Sequence, residues 1–388
     1  MFEMSHFPGP YRSDFSLRPF RIAIPQSELD DLQNRLARTR WPAELPGAGR
    51  NYGVPPDRLK QLVEYWRTCY DWRKYEALLN SFPQFTTAID GAKIHFLHVR
   101  SPEKKALPLV ITHGWPGSIV EFLHIIGPLA DPKSHGGDPA DAFHLVIPSI
   151  PGFGFSGPVK EKGWNVGRIA HAWAELMRRL GYDRYGAQGG DWGSAISRAL
   201  AAIDPEHVCG VHLNYLPTPP PPSADISDLT EEEKARIANT QRLREAPPGY
   251  MRLQSTRPQT ISYALTDSPV GQLAWIAEKF IEWTDPSCPI AEEILLTNVM
   301  LYWLTGTAGS SALLYYENAR SKGRFRPGAA PVGVAVFPHD IQLPVRRFAE
   351  LQYTVVHWTE FDRGGHFAAL EVPDLFVEDV RKFFRRFR

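Results

Sequence analysis

The stretch Gln188-Gly189-Gly190-Asp191-Trp192-Gly193-Ser194 decides how the rest of the chain is read. It stands between a β-type run, Tyr185 to Gln188, and a helical run over 193–203. Its small-x-nucleophile-x-small form is that of a strand-to-helix elbow, where small residues are needed because the central residue occupies a strained, exposed turn. The central residue here is a carboxylate, Asp191. Taken alone, Asp191 reads equally well as the N-cap of the following helix, a position aspartate favours. The surroundings of the motif have to separate the two.

Outward from this point, short apolar strands alternate with helical periods. Leu109 to Thr112, Phe143 to Ile147 and Val208 to Tyr215 read as strands, and 118–130, 167–180 and 193–203 as helices. Upstream, Phe85 to Val99 is two β-type runs around Asp90-Gly91, a strong hairpin signal. The alternation predicts an α/β fold with a mostly parallel, eight-stranded sheet covered by helices on both faces. It stops at Pro217-Thr-Pro-Pro-Pro-Pro222, gives way to about a hundred helical, aromatic-rich residues, and resumes with Val332 to Phe337 and Tyr353 to Trp358. A final amphipathic helix starts at Asp374. The expected organisation is an N-terminal helical meander at 1–84, a core formed by 85–215 and 330–388, and a helical cap at 216–329 inserted into that core.

Composition narrows the function. The 388 residues carry 43 Lys and Arg against 43 Asp and Glu, so no field collects phosphates and nucleic acid is not an expected partner. Cys69, Cys209 and Cys288 are far apart, with neither disulfide nor zinc spacing, and no metal or cofactor is implied. The opening MFEMSHFPGPYRSDF lacks the apolar core of a signal peptide, and no run approaches a membrane span, which predicts a cytoplasmic protein with no membrane anchor. The 35 prolines and 11 tryptophans suggest rigid loops and an aromatic-lined cavity. Monomer and homodimer are both left open.

The chemistry-bearing residues fall in a telling order. Strand 109–112 runs into His113-Gly114-Trp115-Pro116-Gly117-Ser118, where folds of this layout place a loop that donates an N–H to an oxyanion. Strand 332–337 runs into Pro338-His339-Asp340, and the strand ending at Trp358 is followed by Gly364-Gly365-His366. Nucleophile, acid and histidine then follow the chain order of a hydrolase triad, with Asp340 favoured over Asp362 and Glu371 because it alone follows a strand end. Two other patterns are set aside. Gly152-Phe-Gly154-Phe-Ser-Gly157 matches a dinucleotide-binding pattern but is bracketed by Pro151 and Pro158 with no helix after it. His95 and His98, three apart in a strand, point to opposite faces and cannot share a metal.

The ordered set resembles the microsomal-type epoxide hydrolases of the α/β-hydrolase superfamily over nearly the whole chain. It comprises Arg40-Trp41-Pro42, Trp66-Arg67 with Tyr70-Asp71-Trp72-Arg73, the His113 loop, the Asp191 elbow, Gly249-Tyr250, Gln254-Ser-Thr-Arg-Pro258, Asp267-Ser-Pro-Val-Gly271, Glu278-Lys279-Phe280 and Gly364 to Glu371. The resemblance implies that Asp191 is the nucleophile, His366 the base and Asp340 the orienting acid. It also implies two tyrosine proton donors, matching Tyr250 and Tyr315, with Tyr316 the alternative to the latter. Animal members begin with a membrane anchor, which is not carried over. The expected substrates are an epoxide and water, with a vicinal diol as product. A carboxylate is ionised near pH 7 and can attack the strained ring unaided, while phenols are acidic enough to protonate the leaving oxygen. The backbone N–H groups of Trp115 and Trp192 would then stabilise the oxyanion formed when water attacks the ester. A dense aromatic set in the cap, Trp275, Phe280, Trp283, Tyr302 and Trp303, suits a bulky or aryl-substituted epoxide. The alternatives are a haloalkane dehalogenase using the same aspartate, and a catalytically silent binding protein on the same fold.

Overall fold

The computed structural model describes residues 16–388 except 48, 223 and 322–327. The reading of residues 1–15 as free of a signal peptide or anchor lies outside the described residues. Nine strands make one sheet: β1 (Arg18–Phe20), β2 (Gln84–Ile89), β3 (Ala92–Val99), β4 (Leu107–Thr112), β5 (Phe143–Pro148), β6 (Tyr185–Gly189), β7 (Val208–Leu213), β8 (Val332–Val336) and β9 (Val355–Glu360). Their order is β1-β2-β3-β5-β4-β6-β7-β8-β9. The first three strands join the sheet antiparallel, and every pairing from β5 across to β9 is parallel.

The hairpin turn falls at Asp90-Gly91, with φ of 48° and 76°, the left-handed pair that matches the twist of the two strands. β4, β5 and β6 are buried on both faces, as their near-continuous apolar runs require. The expected sheet had eight strands. The ninth, β1, is three residues of Arg-Pro-Phe, too short for any periodicity, and its proline is tolerated because the strand lies at the sheet edge. The helix expected over 118–130 is instead a 3₁₀ turn, Ile119–Phe122, followed by the short helix Ile126–Ala130. Pro128 has no N–H to continue a longer ladder.

Between β7 and β8 the described residues are helical, in seven segments from Glu231–Glu245 to Leu313–Arg320. Three more helices, Gln26–Ala37, Pro56–Thr68 and Trp72–Asn80, lie ahead of β2. They grip one cap helix, Glu292–Thr305. Tyr75 donates to Glu293 at 2.5 Å, Lys74 pairs with the same carboxylate at 3.1 Å, Arg58 pairs with Glu292 at 2.6 Å, and Tyr70 bonds Thr297 at 3.1 Å. Among the described residues no helix is long and apolar enough to cross a membrane.

A buried carboxylate ties the sheet to the last long helix, Pro373–Phe384. Asp379 accepts from His212 of β7 at 2.9 Å, and from His357 at 2.8 Å and Thr359 at 2.7 Å, both of β9. Burial alone would raise the pKa of Asp379, but these donors outweigh it and hold the carboxyl below its ordinary range. A depressed folded-state pKa contributes stability that is fully present above the unfolded value, near 4, and is lost as pH falls through the folded one. Asp379→Asn, which leaves donors facing an amide, is expected to lower the unfolding free energy by about 2–4 kcal/mol at pH 7. In denaturant titrations the gap should narrow below about pH 4; an unchanged midpoint at pH 7 would show that the network is not a structural tie.

Candidate active site

β6 ends at Gly189 and the helix Asp191–Ile203 begins two residues later. Asp191 has φ of 45°, a left-handed conformation that costs an ordinary residue roughly 1–2 kcal/mol. The turn is tight enough that flanking side chains do not fit. A Cβ on Gly193 would lie 1.9 Å from the Thr112 carbonyl oxygen, and one on Gly189 would lie 2.2 Å from the Gly193 carbonyl carbon. The elbow reading of Asp191 is thus the one the backbone adopts.

The loop after β4 meets the elbow. Trp115 N–H donates to Asp191 Oδ1 at 2.8 Å, whereas the Trp192 N–H makes no bond to that carboxylate. His113 holds the loop and is a base for nothing. Its Nε2 accepts from the Ile150 N–H at 3.2 Å, so the proton sits on Nδ1, facing the Gly114 carbonyl at 2.9 Å, and burial pushes its pKa down to about 4. From the cap, Asn298 donates to the Pro116 carbonyl and Tyr302 to that of Gly117, each at 2.7 Å.

His366 arrives from the loop after β9. Its Nδ1 lies 2.6 Å from Asp340 Oδ1, which fixes the tautomer, and Nε2 faces Asp191 Oδ2 at 3.5 Å. Burial opposes charging this ring, but the carboxylates of Asp340 and Asp191 prevail and hold its pKa above the ordinary histidine value. Neither competing acid bonds the His366 ring. Asp362 is exposed beside Arg363, and Glu371 accepts the N–H groups of Asp285 and Phe367, both at 2.8 Å.

Tyr250 and Tyr315, both from the cap, converge on the same place, with ring centroids 6.1 Å apart. Tyr250 stacks on Trp115 at 5.1 Å, and Tyr315 meets Trp192 edge-on at 4.8 Å. Burial is the main cause that raises the pKa of each phenol, and the Asp191 charge adds to it in both, so both stay protonated near neutrality. Tyr316 instead lies under the Arg320 guanidinium, 3.5 Å from its ring centroid.

Residues 17–122 match the family model described as the epoxide hydrolase N terminus, and residues 108–268 match that of the alpha/beta hydrolase fold. A putative epoxide hydrolase of Stigmatella aurantiaca is 51% identical over 377 residues, 96% of this chain and 86% of that protein. The chain belongs to the epoxide hydrolase family. Epoxide hydrolase 1 of Sus scrofa, another relative, is 37% identical over 95% of this chain and 89% of its own length. The solved Aspergillus niger epoxide hydrolase superposes with a TM-score of 0.87 at 34% identity, covering 96% of this chain and 97% of that one. The juvenile hormone epoxide hydrolase of Bombyx mori gives 0.85 at 30%, covering 97% and 96%. The chain is thus an epoxide hydrolase with the α/β-hydrolase fold.

Trp283, expected from the sequence only as a cap aromatic, presents its carbonyl to the His366 N–H at 2.9 Å and its ring to the imidazole at 5.1 Å. Sequence reasoning missed other groups around this epoxide hydrolase site. Asp285 accepts from the Gly364 N–H at 2.8 Å, fixing the histidine loop. Glu121 is buried in the field of Asp191 and His366, and burial raises its pKa to about 8. It follows the His113 loop in a segment that reads as the face of a helix, so only tertiary packing reveals it. Of the cap aromatics, Trp283 borders the site, while Trp275 bonds Gln254, Trp303 lies under Arg35 and Phe280 stacks on Phe367.

The close approach of Gly193 to Thr112 yields a direct test. Gly193→Ala should force the elbow apart, lowering stability by about 1–3 kcal/mol and turnover by about a hundredfold. Denaturant melts beside an epoxide assay would read both, and wild-type values in each would show that the turn has room for a side chain.

Proposed function

We infer that this hydrolase opens an epoxide to a vicinal diol in two steps, through an ester on Asp191. The observation that carries the reading is the placement of two protonated phenols, Tyr250 and Tyr315, in the field of an elbow carboxylate that is backed by a histidine. In the first step an Asp191 oxygen attacks a ring carbon while the departing oxygen takes a proton from one of the phenols. Oδ2, free of the Trp115 N–H, is the oxygen that attacks; Oδ1 already rests on that donor. In the second step His366, oriented by Asp340, removes a proton from water, which attacks the ester carbonyl. Negative charge then develops on Oδ1, where the Trp115 N–H awaits it, with the Trp192 N–H as second donor once the carboxylate moves.

Haloalkane hydrolysis would use the same aspartate, but it expels an ion that needs no proton, so paired phenols favour the epoxide. A silent binding protein would have no use for an oriented histidine. The rings of Trp115, Trp192 and Trp283 around the site support a bulky or aryl-substituted epoxide as substrate.

Two measurements test the mechanism. His366→Gln should still form the ester and stall there, so mass spectrometry after mixing with styrene oxide should find one substrate mass added to the Asp191 peptide, and none in Asp191→Ala. In heavy-oxygen water, the diol from a single turnover should carry enzyme oxygen. Solvent oxygen in that first diol would mean direct attack by water, and the ester would have to be abandoned. Tyr250→Phe and Tyr315→Phe should each slow ring opening, with the pair removed together costing about 10²- to 10⁴-fold. Release of halide from a haloalkane, with no diol from any epoxide, would favour the rival reaction.

A further inference from the structure

The cap helix Pro269–Trp283 is largely apolar on its inner face, yet one of its buried positions is a lysine. Lys279 is 4% exposed. Its ammonium bonds Glu278 Oε1 at 2.8 Å and lies 3.6 Å from Glu282 Oε2. On the other side it sits 4.7 Å from the ring centroid of Tyr250 and 5.7 Å from that of Trp283. The cation is therefore held between two carboxylates on its outer side and two aromatic faces on its inner side. A methionine would fill such a position with no charge to desolvate, and buried ion pairs contribute little to stability for the charge they strand. The lysine is explained better by what it touches, the ring of one phenol and the tryptophan that contacts His366 at 5.1 Å.

The charge balance of ring opening gives that contact a role, provided Tyr250 donates a proton as read above. When an Asp191 oxygen bonds the ring carbon, the ring C–O bond breaks and its electron pair moves onto the epoxide oxygen. That oxygen takes the hydroxyl proton of Tyr250, so the negative charge that began on Asp191 ends on the phenol. We propose that Lys279 is a positioning residue for ring opening, its ammonium fixing the Tyr250 ring and stabilising the charge that arrives there. A cation over the face of a desolvated aromatic ring is attracted by the ring's quadrupole, and more strongly once the ring carries a negative charge.

The test compares the two half-reactions with styrene oxide as probe. Ester formation is followed in single turnovers by rapid quench and mass spectrometry in the His366→Gln background, and ester hydrolysis by the same method with His366 intact. Lys279→Met should slow ester formation about tenfold while changing ester hydrolysis less than about twofold. Lys279→Arg, which keeps the cation, should recover most of the loss. Adding Lys279→Met to Tyr250→Phe should bring no further slowing, because two groups acting through one interaction are not additive. Equal slowing of both half-reactions, or the full tenfold loss persisting in Tyr250→Phe, would overturn the proposal and leave Lys279 as packing; if Lys279→Met fails to fold, Lys279→Gln serves in its place. Unimpaired ester formation in Tyr250→Phe would instead remove the donor role of Tyr250, and the proposal with it. Slow ester formation in Tyr250→Phe with none in the lysine variant would remove the proposal alone.

Discussion

The site depends on one backbone constraint, the left-handed turn at Asp191. A residue with a side chain is held where glycine is favoured, at a cost of roughly 1–2 kcal/mol, and the carboxylate is thereby lifted off the end of β6 toward the cap. The surrounding sheet packs tightly around this turn. Gly193 packs closely against the Thr112 carbonyl at the end of β4, and the loop leaving β4 brings the Trp115 N–H onto Asp191. The turn and its donor are one device.

That device is braced from a distance. The Trp115 loop hangs from the cap helix Glu292–Thr305 through Asn298 and Tyr302. The opposite side of the same helix is gripped by the N-terminal helices through Glu292, Glu293 and Thr297. Partly exposed ion pairs contribute little singly, but Glu293 also accepts from the Tyr65 and Tyr75 hydroxyls, and such a cluster fixes orientation even where it adds little stability. The N-terminal helices are therefore linked to Asp191 through the helix Glu292–Thr305 and the loop after β4.

The sequence made the sheet, the turn at Asp191 and the pairing of His366 with Asp340 legible because all are written in local pattern. Period-two and apolar runs mark each parallel strand, and the elbow, Asp340 and Gly364-Gly365-His366 each follow a strand end. What it could not show was set by packing between distant segments. β1 is too short to have a period, and Pro128 divides a run whose apolar spacing looks helical throughout. Tyr315 and Tyr316 are neighbours on one helix, and only the fold turns the first toward Tyr250 and the second under Arg320. The burial of Glu121 and Lys279 could not be read ahead of the fold, since burial of a charge has no signature in a single chain.

The electrostatics of the site are coupled through Asp191 in a way that would order the two steps of the proposed mechanism. In the resting state its negative charge helps keep His366 protonated and makes both phenols reluctant to ionise. On the mechanism we propose, esterification consumes that charge. The phenols lose one of the causes that raise their pKa at the moment a proton is demanded of them, and the imidazole loses one of the two carboxylates that hold its proton. His366 then returns toward its ordinary pKa only after the ester exists, when a base is first needed. Asp340, which is not consumed, keeps the ring in one orientation throughout and selects the Nδ1–H tautomer once the ring is neutral. A serine at the elbow would lack this coupling, since it is neutral before attack and needs the histidine to act as a base first. On the proposed mechanism the negative charge of Asp191 serves as the timer: while it is present the site favours alkylation, and once it is spent the same residues favour hydrolysis.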